Sequence, residues 1–270
     1  MLFRSEKRNE TDNPYWRDCV DEELTFQVEG VAPELEVGRI RTRMSLLEQF
    51  EALQRRWDSG EAESLDRHRK TAVSLVASGE AARALDIRRE PAAMRDRYGR
   101  HLFGQSCLMA RRLVEAGVRF ATVHYDCVDG YSWDSHRNSD DVRKHLLPTF
   151  DQGCAALLED LDARGLLAET LVVALGEMGR TPRASAAWGR DHWSTCFPCL
   201  IAGAGCRGGI VYGASDRIGA YPVEKPVSPE DLARTIYWAL GIDPDLTLSD
   251  RENRPRPLVE DGRVLAELFS

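Results

Sequence analysis

Two stretches of the chain gather the residue types that hold metals and anions. Residues 126–141, DCVDGYSWDSHRNSDD, carry Asp126, Asp129, Asp134 and His136, with Trp133 beside them. Residues 174–193, ALGEMGRTPRASAAWGRDHW, carry Glu177, Arg180, Thr181, Arg190, Asp191 and His192. Carboxylates and imidazoles without thiolates suit a divalent ion: Zn, Mn, Ca or Mg. Arginines beside such an ion suit a tetrahedral oxyanion, phosphate or sulfate, held through forked hydrogen bonds. Metal plus arginine is an apparatus for phosphoryl or sulfuryl transfer. Each residue also has an ordinary use. Asp134 could cap the segment that follows it, His136 and His192 could be satisfied within their loops, and Glu177 and Arg180 could pair with each other.

The flanking elements must bring the two stretches together. Val118–Tyr125 (VRFATVHY) reads as a strand leading into the first stretch, and Thr170–Leu175 (TLVVAL) as a strand leading into the second. The second run is short and apolar throughout, as in a strand buried on both faces of a parallel sheet. Phe197–Gly203 reads as a third strand, and Ile210–Tyr212 as a short one. Between them lie helical patterns. Phe103, Cys107, Ala110 and Val114 share one face of a helix that Gly117 ends, and Leu146, Phe150, Cys154, Leu157 and Leu161 share a face of another. Pro148 starts or kinks that second helix, and Gly165 closes it. Ser228-Pro229-Glu230-Asp231 is a helix start with a cap, a first-turn proline and acids at the positive end of the dipole. Strands alternating with helices predict an α/β fold, a mostly parallel sheet flanked by helices. Ligands in such sheets bind beyond the carboxyl ends of the strands, so both polar loops would leave the same edge and converge.

The front of the chain is different. Residues 1–20 are polar and aperiodic and read as a tail, with Met1–Ser5 expected to be non-native. Leu24–Val28 reads as extended. Helical patterns follow over 36–56 and about 62–78, then an arginine-rich surface over 80–98 that Asp86, Glu90 and Asp96 would neutralise. This divides the chain into the tail, a helical subregion over 36–98 and a sheet core over 99–270. His101 and His145 read as surface or boundary residues. His124 reads as a strand residue facing a helix.

With 43% apolar and 30% charged residues in 270, the composition is that of a globular protein with a sizeable core. The net charge of −8 argues against a nucleic-acid partner. No run of about 18 apolar residues exists to span a membrane. The seven cysteines form no disulfide framework. Cys196-Phe197-Pro198-Cys199 has redox spacing, but it opens a strand, whereas a reactive pair would start a helix.

Several motifs together resemble domain-of-unknown-function family 1501: GEMGRTP at 176–182, GRDHW at 189–193, GGIVYGASDRIG at 208–219, SPEDLARTIYWALGID at 228–243, the closing DRENRPRPL, and the WDSH at 133–136. RYGRHLFGQSCLMARRLVEAGVRFATV resembles the middle of that family, and the likeness runs from about Glu29 to the end. The family is similar in fold to alkaline phosphatases and sulfatases. The resemblance implies a metal-dependent hydrolase of phosphate or sulfate esters, small-molecule or polysaccharide, exported to the periplasm or cell surface. Asp134, His136, Glu177 and His192 would hold metal and Arg180 would contact the oxyanion. Met178 departs from the pattern, since an acid at the later motif is often followed by histidine. The resemblance also implies an incomplete N-terminus, because the strand that supplies a metal-binding aspartate and leads to the nucleophile lies upstream. A non-catalytic exported binding protein with at most a structural ion is the competing expectation.

Overall fold

Residues 13–26, 79–125, 133–137 and 139–269 are described by a computed structural model, together with helical positions 39, 42 and 45. Those three positions fall within the helix expected over 36–56. The remaining expectations for residues 27–78, and those for Met1–Ser5, Asp126 and Asp129, lie outside the described residues. The chain forms two units. One comprises residues 1–129 and 148–157, the other 130–147 and 158–270.

In the first unit, helix α1 (Glu80–Leu85), a 3-10 turn over Ile87–Arg89, α2 (Ala92–Tyr98) and α3 (Leu102–Glu115) follow one another closely. Apolar positions three and four apart give α3 one buried face, with Leu102, Phe103, Cys107, Leu108 and Met109 on it. These side chains form one apolar cluster with Ile87, Tyr98 and Ala156, and with Cys19, Leu24 and Phe26 from the front of the chain. Phe103 stacks on Tyr125 with ring centroids 4.2 Å apart, and Tyr15 stacks on Tyr125 at 5.6 Å. Gly117, at φ 91, adopts the left-handed backbone that stops α3.

Residues 13–20, within the stretch read as tail, do structural work. The Leu102 amide donates to Pro14 O at 2.7 Å, and the Cys19 amide donates to Arg100 O at 2.9 Å. Asp21 accepts from Arg95 and from Arg100. Their anchors are spaced too irregularly to register as a helix or strand pattern. Of the acids expected to neutralise the arginines of 80–98, Asp86 does so by holding Arg88, whereas Asp96 holds Arg100 and Glu90 holds Arg112 and the fully buried Arg111, and Arg95 pairs with Asp21 instead. His101 is a difference. It is buried, and its Nδ1 accepts from the Gly104 amide at 3.0 Å to cap α3. Val118–Tyr125, expected to be a strand, has no ladder partner among the described residues. It keeps a strand's alternation even so: Ala121, Val123 and Tyr125 are half-buried, while Thr122 and His124 are exposed.

Helix α4 (Leu147–Ala163) follows one π-helical turn over Val142–Leu146, carries Pro148 in its first turn, and ends before Gly165. In the second unit, β1 (Val172–Leu175) pairs antiparallel with β4 (Cys199–Ala202), in the register Val172↔Ala202 to Leu175↔Cys199. Between them β2 (Gly179–Arg180) pairs with β3 (His192–Trp193). Two further antiparallel ladders join β5 (Ala214–Ser215) to β6 (Pro222–Glu224) and β7 (Thr247–Ser249) to β8 (Pro255–Pro257). All pairings among the described residues are two-stranded and antiparallel. The run TLVVAL is half-buried at Val172–Ala174 and exposed at Leu175, because a single ladder neighbour covers it. Val211, in the stretch read as a short strand, is unpaired and exposed. Helix α5 (Pro229–Ala239) begins as its sequence dictates, with Ser228 and Asp231 forming a reciprocal capping box. Asp231 and Thr235 also accept from the Arg263 and Leu265 amides, tying the C-terminal segment to this helix.

Candidate metal centre

The β2–β3 ladder sets the first two side chains of the site. Its register places Arg180 directly opposite His192, so the two share a face. Both reach Asp134. His192 Nε2 lies 2.9 Å from Asp134 Oδ1, and an Arg180 guanidinium nitrogen is in short contact with the same oxygen. His136 completes the cluster, its Nε2 lying 3.2 Å from Asp134 Oδ1 and 3.1 Å from His192 Nε2. Three donor atoms from Asp134, His136 and His192 therefore face one another.

Backbone hydrogen bonds hold the two loops together. The Arg190 amide donates to Ser135 O at 3.0 Å, and the Ser139 amide donates to Trp188 O at 2.7 Å. Gly189 lies against the His136 carbonyl so closely that a Cβ would fall 1.7 Å from the oxygen. Only glycine permits that approach. Trp188, one residue earlier, is held at φ 55 by the tight turn from Ser185 to Gly189, a left-handed conformation that strains a tryptophan. Arg190 braces the loop from within, donating to Thr181 O at 2.6 Å and Pro182 O at 2.7 Å. Arg180 donates its other terminal nitrogen to Arg190 O at 3.3 Å.

The electrostatics match the geometry. The Arg180 guanidinium, then the hydrogen bond from His192, holds the Asp134 carboxyl down at about 2. Asp134 is thus a carboxylate at neutral pH. Asp191 Oδ1 lies 3.1 Å from His136 Nδ1. A carboxylate can only accept, so Asp191 favours the His136 tautomer protonated on Nδ1, which leaves an Nε2 lone pair to meet an ion. Carboxylate–histidine pairs of this kind orient metal-binding imidazoles.

Donor spacing tests whether an ion fits. Ligands about 2.0–2.2 Å from an ion, at angles from octahedral to tetrahedral, lie about 2.8–3.6 Å apart. The three separations of 2.9, 3.1 and 3.2 Å fall inside that window. Calcium takes about six to eight oxygen ligands, so two imidazole nitrogens among three donors disfavour it. Two imidazole nitrogens and one carboxylate oxygen suit Zn or Mn better than Mg. Three protein donors with side chains about half exposed leave room for a further, exchangeable ligand.

Of the residues singled out in the sequence, Asp134, His136 and His192 come together and Arg180 joins them. Glu177 does not. It is exposed, lies outside the donor group, and makes no pair with Arg180. Two further residues matter that sequence reasoning does not single out for a role, Asp191 and Gly189. The Asp-His dipeptide opposite a lone histidine is the available signal for the first. Nothing local signals the second, because the need for glycine arises from a chain segment some fifty residues away. The Cys196–Cys199 pair offers no reactive thiolate at Cys199. That thiol is pushed up to about 11 by partial desolvation, although its residue is exposed.

An exposed three-donor cluster beside an arginine on a two-strand ladder defines a candidate divalent-metal and oxyanion site. The chain that carries it belongs to the family described as protein of unknown function (DUF1501), whose model matches residues 26–269. No curated protein and no solved structure matches it. Among the described residues, no helix is long and apolar enough to cross a membrane.

Proposed function

We propose that this protein is a metal-dependent hydrolase of phosphate or sulfate esters with an alkaline phosphatase/sulfatase-like fold. The observation that carries the reading is the mutual facing of Asp134 Oδ1, His136 Nε2 and His192 Nε2 within 3.2 Å, beside Arg180. The reading rests on those three donors and does not need Glu177. A divalent ion held there supplies polarisation of an ester oxygen and a lower pKa for the attacking group. The chain's own residues supply the rest. Asp191 fixes the His136 ring, the β2–β3 register keeps His192 beside Asp134, and Arg180 offers a planar fork to a tetrahedral anion. The substrate is a small-molecule or polysaccharide ester of an exported protein's surroundings.

Elemental analysis of the purified chain tests the site. Close to one Zn or Mn per chain is expected, retained in Glu177→Ala and lost in a His136→Ala/His192→Ala double variant. Metal retained by the double variant would overturn this assignment. Met178 beside Glu177 favours a second reading, a binding protein that keeps the ion without turnover. Aryl phosphate and aryl sulfate assays on metal-loaded protein separate the two.

A further inference from the structure

We propose that Arg180 and the divalent ion compete for a single oxygen, Asp134 Oδ1, so that metal uptake releases the guanidinium to grip the phosphate or sulfate group. The inference rests on the metal reading above and adds an order of events to it: ion first, oxyanion second.

The argument begins with one atom. Asp134 Oδ1 is the oxygen that both histidine Nε2 atoms face, at 2.9 and 3.2 Å, and it is also the oxygen in short contact with Arg180. A guanidinium and a divalent cation on that oxygen use the same lone pairs and repel each other, so each weakens the other's hold on it. With the ion bound, the Arg180 head is displaced from Asp134 Oδ1. It does not leave the site. Its Cα is fixed opposite His192 by the β2–β3 ladder, and its other terminal nitrogen keeps the Arg190 carbonyl, at 3.3 Å, as a tether. The released nitrogen is a permanently charged N–H donor beside a cation with an exchangeable position. That pairing recognises a tetrahedral oxyanion. Without metal, Asp134 neutralises the same guanidinium and the anion loses its donor. Arg180 also guards the empty cluster, since it balances Asp134 while no ion is present.

Two binding events coupled in this way must help each other by the same factor. Calorimetric titration of the whole chain at neutral pH reads the coupling, with Zn²⁺, then inorganic sulfate and, separately, micromolar inorganic phosphate. Wild type should bind either anion measurably only after Zn²⁺ is loaded. Arg180→Gln should bind Zn²⁺ more tightly, by up to about fivefold, the range of an exposed ion pair, and should lose the anion coupling. Arg137→Gln controls for charge alone, because Arg137 adjoins His136 and is exposed. It should change Zn²⁺ affinity less than Arg180→Gln does and should keep the coupling.

Anion binding of equal strength with and without Zn²⁺ overturns the inference. So does Arg180→Gln binding Zn²⁺ no tighter than wild type, or Arg137→Gln matching it in both readouts. A wild-type chain that takes up no divalent ion at all overturns the metal reading first and this inference with it. Circular dichroism of each variant checks that it is folded.

Discussion

In the first unit, aromatic and aliphatic side chains from residues far apart in the chain close into one apolar cluster around Leu108 and Tyr98. In the second, large apolar side chains such as Leu175, Leu200, Val211 and Val223 are exposed, and the buried positions mix Leu146, Leu161 and Leu265 with polar Ser135, Asp160, Asp231 and Thr235. The first unit is held by burial, at about 25 cal/mol per Å² of apolar surface. The second adds to its few buried leucines a larger share of short ladders, caps and loop-to-loop hydrogen bonds, each contributing about 0.5–1.5 kcal/mol. The metal cluster lies in the second kind of structure. Its geometry therefore depends on a few backbone contacts rather than on a core, and the two units should respond to different substitutions.

The largest expected effect falls on the first unit. Leu108 is fully buried at the centre of its cluster. Leu108→Ala removes packed methyl groups and leaves a cavity, and should cost about 2–5 kcal/mol. Denaturant titration reads that loss, and metal affinity measured on the remaining folded protein should be unchanged. A fall in metal affinity at temperatures where the variant is folded would break the proposed separation.

Gly189→Ala is the converse. A Cβ there falls 1.7 Å from the His136 carbonyl oxygen, so the loops must part. Metal affinity should drop on the order of a hundredfold or more, beyond the range for losing an outer partner, while near-ultraviolet signals from the Tyr15–Tyr125–Phe103 stack persist. Asp191→Asn probes one bond. An amide can present its NH₂ to His136 Nδ1, which favours the wrong tautomer and turns a protonated Nε2 toward the ion. About 10–100-fold in metal affinity is the expected loss. An Asp191→Asn variant that binds Zn²⁺ as wild type does would remove Asp191 from the site.

The same contrast explains what the sequence disclosed. Helix starts were legible wherever capping chemistry is local, as at Ser228–Asp231, and wherever apolar spacing is regular, as in α3. The two loops were legible because charged residues after apolar runs need a reason, and the resemblance to the family singled out the three donors and Arg180 within them. Strand partners were not legible. Within VRFATVHY only Ala121–Tyr125 keeps period-two burial, without a ladder, and TLVVAL pairs antiparallel, because periodicity reports which faces are covered and not what hydrogen-bonds the backbone. Glu177 was drawn in by the motif it matches. It stands two residues before β2 and three before Arg180, but the ladder that carries Arg180 toward Asp134 does not carry it.

The smallest expected effect sharpens the comparison through pH. His101 is buried in the first unit, and desolvation holds its pKa below the ordinary value, with only partial relief from the Gln152 side chain. An unfolded histidine titrates near about 6.5. Below that pH the unfolded chain takes up a proton that folded His101 resists, so the stability His101 contributes is fully present above about 6.5 and declines as pH falls toward its folded pKa. Asp134 runs on another scale. Its carboxyl, held at about 2, favours the folded state above the unfolded aspartate value, and that contribution is lost only as pH falls through the acid range toward 2. Mild acid should therefore weaken the first unit while Asp134 stays ionised. His101→Asn isolates the effect, because asparagine can still cap α3 at the Gly104 amide but does not titrate. The difference in melting temperature between wild type and His101→Asn should be flat above neutrality and move against wild type below about pH 6.5. A difference that does not change with pH would mean that His101 keeps an ordinary pKa in the fold, and that acid sensitivity does not distinguish the cored unit from the metal loops.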